Sequence, residues 1–184
     1  MMALGLLLSL GTAGRAEQSL IVLDASGSMW GRIDGKPKLE IAREALKAVL
    51  GGMAPQREIG LLAYGHREKG NCSDIELIVP PGRNNAAAIT DAAARLRFLG
   101  KTPLTEAVRQ AAVALRYTEE KATVILITDG IETCQADPCA LGAELAKAGV
   151  GFTAHVVGFD LSREDGRKVA CLAEKTGGRY IAAG

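Results

Sequence analysis

Leu20-Ile-Val-Leu-Asp24-Ala-Ser26-Gly-Ser28-Met29 is an apolar run that ends abruptly in a carboxylate and two hydroxyls. Four consecutive apolar residues bounded by turn-prone Ser and Gly predict a buried strand. Asp24, Ser26 and Ser28 then fall where that strand leaves its sheet. Spaced i, i+2, i+4 on a looping backbone, their oxygens can turn toward one point. Hard oxygen donors of this kind suit a hard cation such as Mg²⁺.

Outward from this stretch, strand and helix patterns alternate. Strands are expected over 19–23, 58–64, 74–79, 123–128, 151–157 and 179–181. Helices are expected over 38–50, 85–96, 105–115, 137–148 and 163–175. Leu39, Ala42, Leu46 and Val49 set the apolar face of the first helix. Such alternation predicts a parallel sheet with right-handed crossovers, and the unbroken Val124-Ile-Leu-Ile127 belongs in its middle. The strands over 58–64 and 74–79 leave no room for a helix between them. One of the two is therefore antiparallel, at an edge, and Pro80-Pro81 should stop it. With no repeat and no linker, residues 17–184 read as one α/β domain. It is doubly wound and mostly parallel, with helices on both faces, and such folds bind ligands at the carboxyl ends of their strands.

Two further segments bring polar oxygen to that end, Gly100-Lys-Thr102-Pro-Leu104 and Thr128-Asp129-Gly130. Asp24 and Asp129 would repel there by about 4 kcal/mol at a separation of about 4 Å in an effective dielectric near 20. A divalent ion removes that repulsion and ties three loops together. The motifs contain no His or Cys, which favours Mg²⁺ or Mn²⁺ over zinc, with Ca²⁺ less suited. Two carboxylates and three hydroxyls leave positions for water or for a partner's acidic group.

Asp24-x-Ser26-x-Ser28, Thr102 and Asp129, in this order on an alternating α/β chain, resemble the metal-ion-dependent adhesion site of von Willebrand factor A domains. The resemblance runs from Ser19 to about Ile181, and the wording from Asp24 to Lys36 is similar to secreted bacterial members. It implies that Ser26 and Ser28 ligate the metal directly, that Thr102 is a switchable ligand, and that Asp24 and Asp129 act through water. It also implies a protein partner whose Glu or Asp completes the shell. That family ordinarily carries one more helix after the last strand. The sequence stops at Gly184, just after the last expected strand, so that helix is expected to be either truncated here or lacking.

Cys72, Cys134, Cys139 and Cys171 fit an oxidising compartment. Of the three connectivities, the expected crossover order favours Cys72 with Cys134 and Cys139 with Cys171. Cys134 with Cys139 is the local alternative. Residues 1–16 carry the apolar core Leu4-Gly-Leu-Leu-Leu-Ser-Leu10 followed by small residues. That pattern resembles a secretory signal cleaved after Ala16, too short to span a bilayer. Both features predict a secreted or periplasmic protein. A net charge of +1 and 4% aromatic residues argue against nucleic acid.

Plainer assignments compete for several residues. Met29 and Trp30 should pack under the loop, with Trp30 a candidate for the ligand rim. His66, at a strand end near the same edge, is a second rim candidate. His155 should lie on a sheet face rather than in a Ser–His–Asp triad. The predicted function is non-enzymatic, metal-bridged protein binding. The alternatives are a metal-dependent periplasmic hydrolase and a structural envelope domain with an unused site. A basic cluster of Arg32, Arg67 and Lys101 facing the metal would favour the hydrolase.

Overall fold

A computed structural model describes residues 17–54 and 56–183; the expected signal over 1–16 lies outside them. The strands are β1 (Gln18–Asp24), β2 (Arg32–Ile33), β3 (Lys36–Pro37), β4 (Glu58–Tyr64), β5 (Ile75–Gly82), β6 (Ala122–Thr128), β7 (Thr153–Phe159) and β8 (Tyr180–Ala183). The helices are α1 (Lys38–Gly51), α2 (Ala86–Arg95), α3 (Leu104–Ala114), α4 (Pro138–Ala148) and α5 (Arg163–Lys175).

Six strands form one sheet in the order β5-β4-β1-β6-β7-β8. All neighbours are parallel except β4 and β5, as the short 58–79 segment requires. The period of two along β1 splits its residues between two cores. Leu20 and Val22 face α3, α4 and α5 through Val108, Leu145 and Leu172. Ile21 and Leu23 face α1 and α2 through Leu46 and Ile89. Burying one such Leu or Ile contributes ~1.5–3 kcal/mol, so the two-sided core fixes the register of β1. That register sends Asp24 out at the carboxyl end beside the end of β6, the crevice where connections run to either side.

The antiparallel edge differs from expectation. β5 does not stop at Val79 but continues through Pro80 and Pro81 to Gly82, which pairs with Ile59. An edge strand has one unpaired side, where a proline's missing N–H costs nothing. The register shifts on either side of Leu61, and a Cβ on Gly60 would lie 2.4 Å from the Val79 carbonyl oxygen. Only glycine allows that approach.

Between β1 and α1 the chain adds a 3₁₀ turn, Gly27–Trp30, and the β2–β3 hairpin. Asp34 and Gly35 take φ of 48° and 83° at the hairpin tip, the left-handed pair that Asp-Gly supplies readily. α4 begins on Asp137, whose carboxylate accepts from Cys139 N at 2.8 Å and Ala140 N at 3.1 Å. Disulfides join Cys72 to Cys134 and Cys139 to Cys171, with Cα separations of 5.8 and 5.2 Å, the pairing that the crossover order favours. The second clips α4 to α5. The first ties the loop after β4 to the loop after β6.

Candidate metal centre

Three loops meet at the carboxyl end of β1. Ser26 forms an isolated parallel bridge with Gly100, and Gly27 N donates to Gly100 O at 3.0 Å. Gly100 N and Leu99 N both donate to Gly65 O, at 2.8 and 3.1 Å. Gly65 has φ +72°, and a Cβ there would stand 2.7 Å from the Lys101 carbonyl oxygen. Its lack of a side chain lets the Thr102 loop close onto β1 and β4. The loop after β6 is fastened from the other side. Thr102 N donates to Thr133 Oγ1 at 2.8 Å, and Thr133 N donates to Thr102 O at 3.1 Å.

Asp24 is fully buried. Its Oδ1 accepts Ser26 N at 2.8 Å and its Oδ2 accepts the Thr128 hydroxyl at 2.7 Å. Burial, and next the charge of Asp129, push the Asp24 carboxyl above the ordinary range, against the hydrogen bonds from Ser26 and Thr128. Behind them the Tyr64 hydroxyl donates to Thr128 Oγ1 at 3.3 Å. Burial and the Asp24 charge raise that phenol well above its usual pKa, so it stays a neutral donor.

On the opposite wall, Ser28 Oγ donates to Asp129 Oδ1 at 2.7 Å, and the Ser26 and Ser28 oxygens lie 2.9 Å apart. Ser28 has one proton and gives it to the carboxylate, so Ser26 donates to Ser28. The protons run toward Asp129, which leaves lone pairs on both serine oxygens to face a cation. Thr102 Oγ1 and Asp24 Oδ2 lie 3.6 and 3.9 Å from where a Cβ on Gly130 would sit. The bare Gly130 backbone thus keeps a space open between a hydroxyl and a carboxylate. Ser26, Ser28, Gly100, Lys101, Thr102, Gly130 and Ile131 line a cavity of about 450 Å³.

The donors fit a hard divalent ion: two buried carboxylates and three hydroxyls, with neither His nor Cys. Among the described residues, no three His, Cys, Asp or Glu side chains cluster in a way that could hold a metal, so three of the five donor residues are hydroxyl-bearing. Asp24, Ser26, Ser28, Thr102 and Asp129 all meet at this one end of the sheet.

The rim candidates separate. Met29 packs beneath the loop at 1% exposure. Trp30 does not pack there: the residue is 72% exposed while its indole N–H donates to Phe98 O at 2.6 Å. His66 is buried outside the cavity lining, with Nε2 2.9 Å from Glu76 Oε2 and Nδ1 3.9 Å from Asp74 Oδ1. His155 lies on β7, where Nδ1 accepts Arg179 N at 3.1 Å. Burial, then the nearby Arg179 and Arg57, lower its pKa. Arg67 is held by Asp74 at 2.7 Å and Arg32 by Gly35 O at 2.6 Å. Of the three basic residues named from sequence, Lys101 alone lines the cavity.

Sequence reasoning gave no role to Thr128, Lys38 or Asp160. Lys38 Nζ sits 2.9 Å from Asp129 Oδ2 and 2.5 Å from Asp160 Oδ2. Burial pulls the ammonium pKa down, and the bonds from Asp160 and Asp129 more than reverse this. A lysine opening a helix carries no periodic signal of burial. Thr128 stands beside Asp129 in the motif, but only the strand's alternation shows which way its hydroxyl points.

The von Willebrand factor type A domain profile matches residues 19–132. The uncharacterised protein YwmD of Bacillus subtilis (strain 168) is 27% identical, over 92% of this chain and 80% of its own. The pilus adhesin SpaC of Lactobacillus rhamnosus GG superposes with a TM-score of 0.71 at 18% identity, over 94% of this chain and 29% of its own. Proximal thread matrix protein 1 of the mussel byssus, in a structure with a zinc-occupied MIDAS motif, superposes with a TM-score of 0.65 at 16% identity. That match covers 92% of this chain and 42% of the mussel chain. The chain thus spans less than half of either structure, and at these identities the likeness speaks for the fold. The two disulfides fit an extracytoplasmic setting, and no described helix is long and apolar enough to cross a membrane. The chain belongs to the von Willebrand factor type A domain family.

Proposed function

We propose that this domain binds a protein partner outside the cytoplasm, as a secreted or periplasmic protein, through a divalent ion whose open position takes a partner carboxylate. The observation that carries the reading is the proton chain from Ser26 through Ser28 to Asp129, which turns hydroxyl lone pairs into a cavity that Thr102 also lines, with the buried, raised-pKa Asp24 behind Ser26. Ser26 and Ser28 would bind the ion directly, with Thr102 as the switchable ligand. Asp24 and Asp129 already spend their oxygens on protein donors, which suits outer-sphere anchoring. Mg²⁺ fits this hard oxygen set best, followed by Mn²⁺. The ion supplies an electrophilic point at which a Glu or Asp docks. The protein's part is to hold the hydroxyls in place and keep the two carboxylates dry.

The pilus adhesin and thread matrix neighbours support an interaction role, and the mussel structure supports metal use at such a site. Of Arg32, Arg67 and Lys101, the two arginines are engaged elsewhere and only Lys101 lines the cavity, which favours binding over hydrolysis. An array of peptides with a central Glu or Asp, paired with Gln or Asn controls, tests this. Binding should require both the carboxylate and Mg²⁺, and should vanish in chelator. Equal capture of the Gln and Asn peptides would defeat the carboxylate-bridge reading.

A further inference from the structure

We infer that Lys38 is the resident counter-ion of this centre. Its ammonium holds Asp129 when no divalent ion is bound, competes with that ion, and is itself balanced by Asp160. The inference rests on the metal reading above and adds two residues to it.

Lys38 occupies an unfavourable place for a cation. It is the first residue of α1, at the helix end where the backbone dipole repels positive charge. Its side chain is only 11% exposed, and lysines are rarely buried unless paired. Helix stability therefore does not explain it, and its two partners do. One is Asp129 Oδ2 at 2.9 Å, on a carboxylate whose side chain is 0% exposed. The other oxygen of that carboxylate takes the Ser28 hydroxyl at 2.7 Å. Asp129 is thus shared between the ammonium and the serine hydroxyls of the proposed ligand set.

Two backbone features serve the same contact. A Cβ on Gly31 would fall 3.0 Å from Lys38 Cε and 3.2 Å from Ser28 O. Lys38 N also donates to Gly31 O at 3.0 Å. Gly31 therefore clears the path along which the lysine stem reaches the site. Asp160 takes φ 55° just after β7, a left-handed conformation that non-glycine residues hold at some cost. That conformation accompanies the 2.5 Å contact of its carboxylate with Lys38 Nζ. Without Asp160 the ammonium would act on Asp129 alone and make the centre less negative.

The competition predicts opposite signs for two changes at one ammonium. Lys38→Met removes the rival cation, so a divalent ion should bind on the order of tenfold more tightly. Its metal-free melting midpoint should drop and recover toward wild type in saturating Mg²⁺ or Mn²⁺. Asp160→Asn, which tolerates the same backbone, should bind the ion about threefold more weakly. An ion pair that only braces the fold predicts affinity losses in both variants.

Thermal melts and calorimetric titrations with Mg²⁺ and Mn²⁺ on wild type and both variants decide it. Opposite affinity changes support the inference; equal losses, or a Lys38→Met midpoint lowered by the same amount with and without metal, overturn it. If Lys38→Met does not fold without metal, the Lys38→Met/Asp129→Asn double variant removes both charges and should restore folding. A double variant no more stable than the single one overturns the counter-ion role. A wild type that responds to neither ion overturns the metal reading, and the double variant still judges the counter-ion claim by itself.

Discussion

Asp24 and Asp129 leave neighbouring strands at the same end of the sheet, yet their surroundings differ in kind. Asp24 is enclosed by neutral donors, the Ser26 N–H and the Thr128 hydroxyl, and its proton affinity is raised. Asp129 has an ammonium on one oxygen and a hydroxyl on the other. Among the described residues the first carboxylate has no partner of opposite charge, so it gains most from a bound cation. The second has a cation within the protein. The contrast shows how two buried acids can share a wall: dipoles position one, and charge neutralises the other.

The largest effect that could break this contrast comes from Asp129→Ala. It leaves a buried ammonium with Asp160 alone and the Ser28 hydroxyl without its acceptor, so chemical denaturation should register a loss of ~3 kcal/mol, together with loss of any metal response. If Asp24→Asn cost as much, the asymmetry would be refuted. Next comes the Cys72–Cys134 bridge, which fastens the loop carrying Asp129. Replacing both cysteines with Ser should cost ~2–4 kcal/mol and weaken metal binding measured by titration. Replacing Cys139 and Cys171, which join α4 to α5, should cost a similar amount and leave metal affinity unchanged.

Smaller shifts sharpen the Asp24 side. Thr128→Val deletes the hydroxyl on Asp24 Oδ2 and should cost ~1–3 kcal/mol. For a domain of this size that means about 2–4 °C in melting midpoint per kcal/mol. Asp24→Asn should leave metal-free stability unchanged or slightly raised, because it removes a charge that burial disfavours. The pH dependence follows with its sign. The folded-state pKa of Asp24 lies above the ordinary value of 3.8, so the folded state binds the extra proton. Its contribution is fully present below that ordinary value and is lost as pH rises through the raised one. Metal-free melts of wild type should show this fall, and Asp24→Asn should flatten it. Asp74 moves the other way: although burial raises its pKa, the bonds from Arg67 and Glu68 N bring it below 3.8. Its contribution is lost only as pH falls through that lowered value, which separates the two groups.

The sheet was legible because hydrophobic periodicity carries it: Val124-Ile-Leu-Ile127 could only be a buried parallel strand, and the 58–79 spacing forced an antiparallel neighbour. The extension of β5 through Pro80 and Pro81 was not, since a proline's cost depends on whether its N–H side is paired, a property of the assembled sheet. The Asp34-Gly35 turn was present in the letters as a hairpin signal, but its two-residue strands are too short for periodicity to show. Of the site, the five oxygen-bearing residues could be read from motif and order. Their support could not. Lys38 and Asp160 are 122 positions apart in sequence and meet only after β7 returns beside β6. Trp30 also escaped, since one residue of a 3₁₀ turn can point outward while its neighbour Met29 points in.

The central claim is that these five residues hold a divalent ion, and calorimetric titration of Mg²⁺ into metal-free protein at neutral pH tests it most directly, with wild type and Asp24→Asn side by side. The account predicts a single saturable binding event for wild type and none for Asp24→Asn. No binding by the wild type, or undiminished binding by the variant, would contradict it.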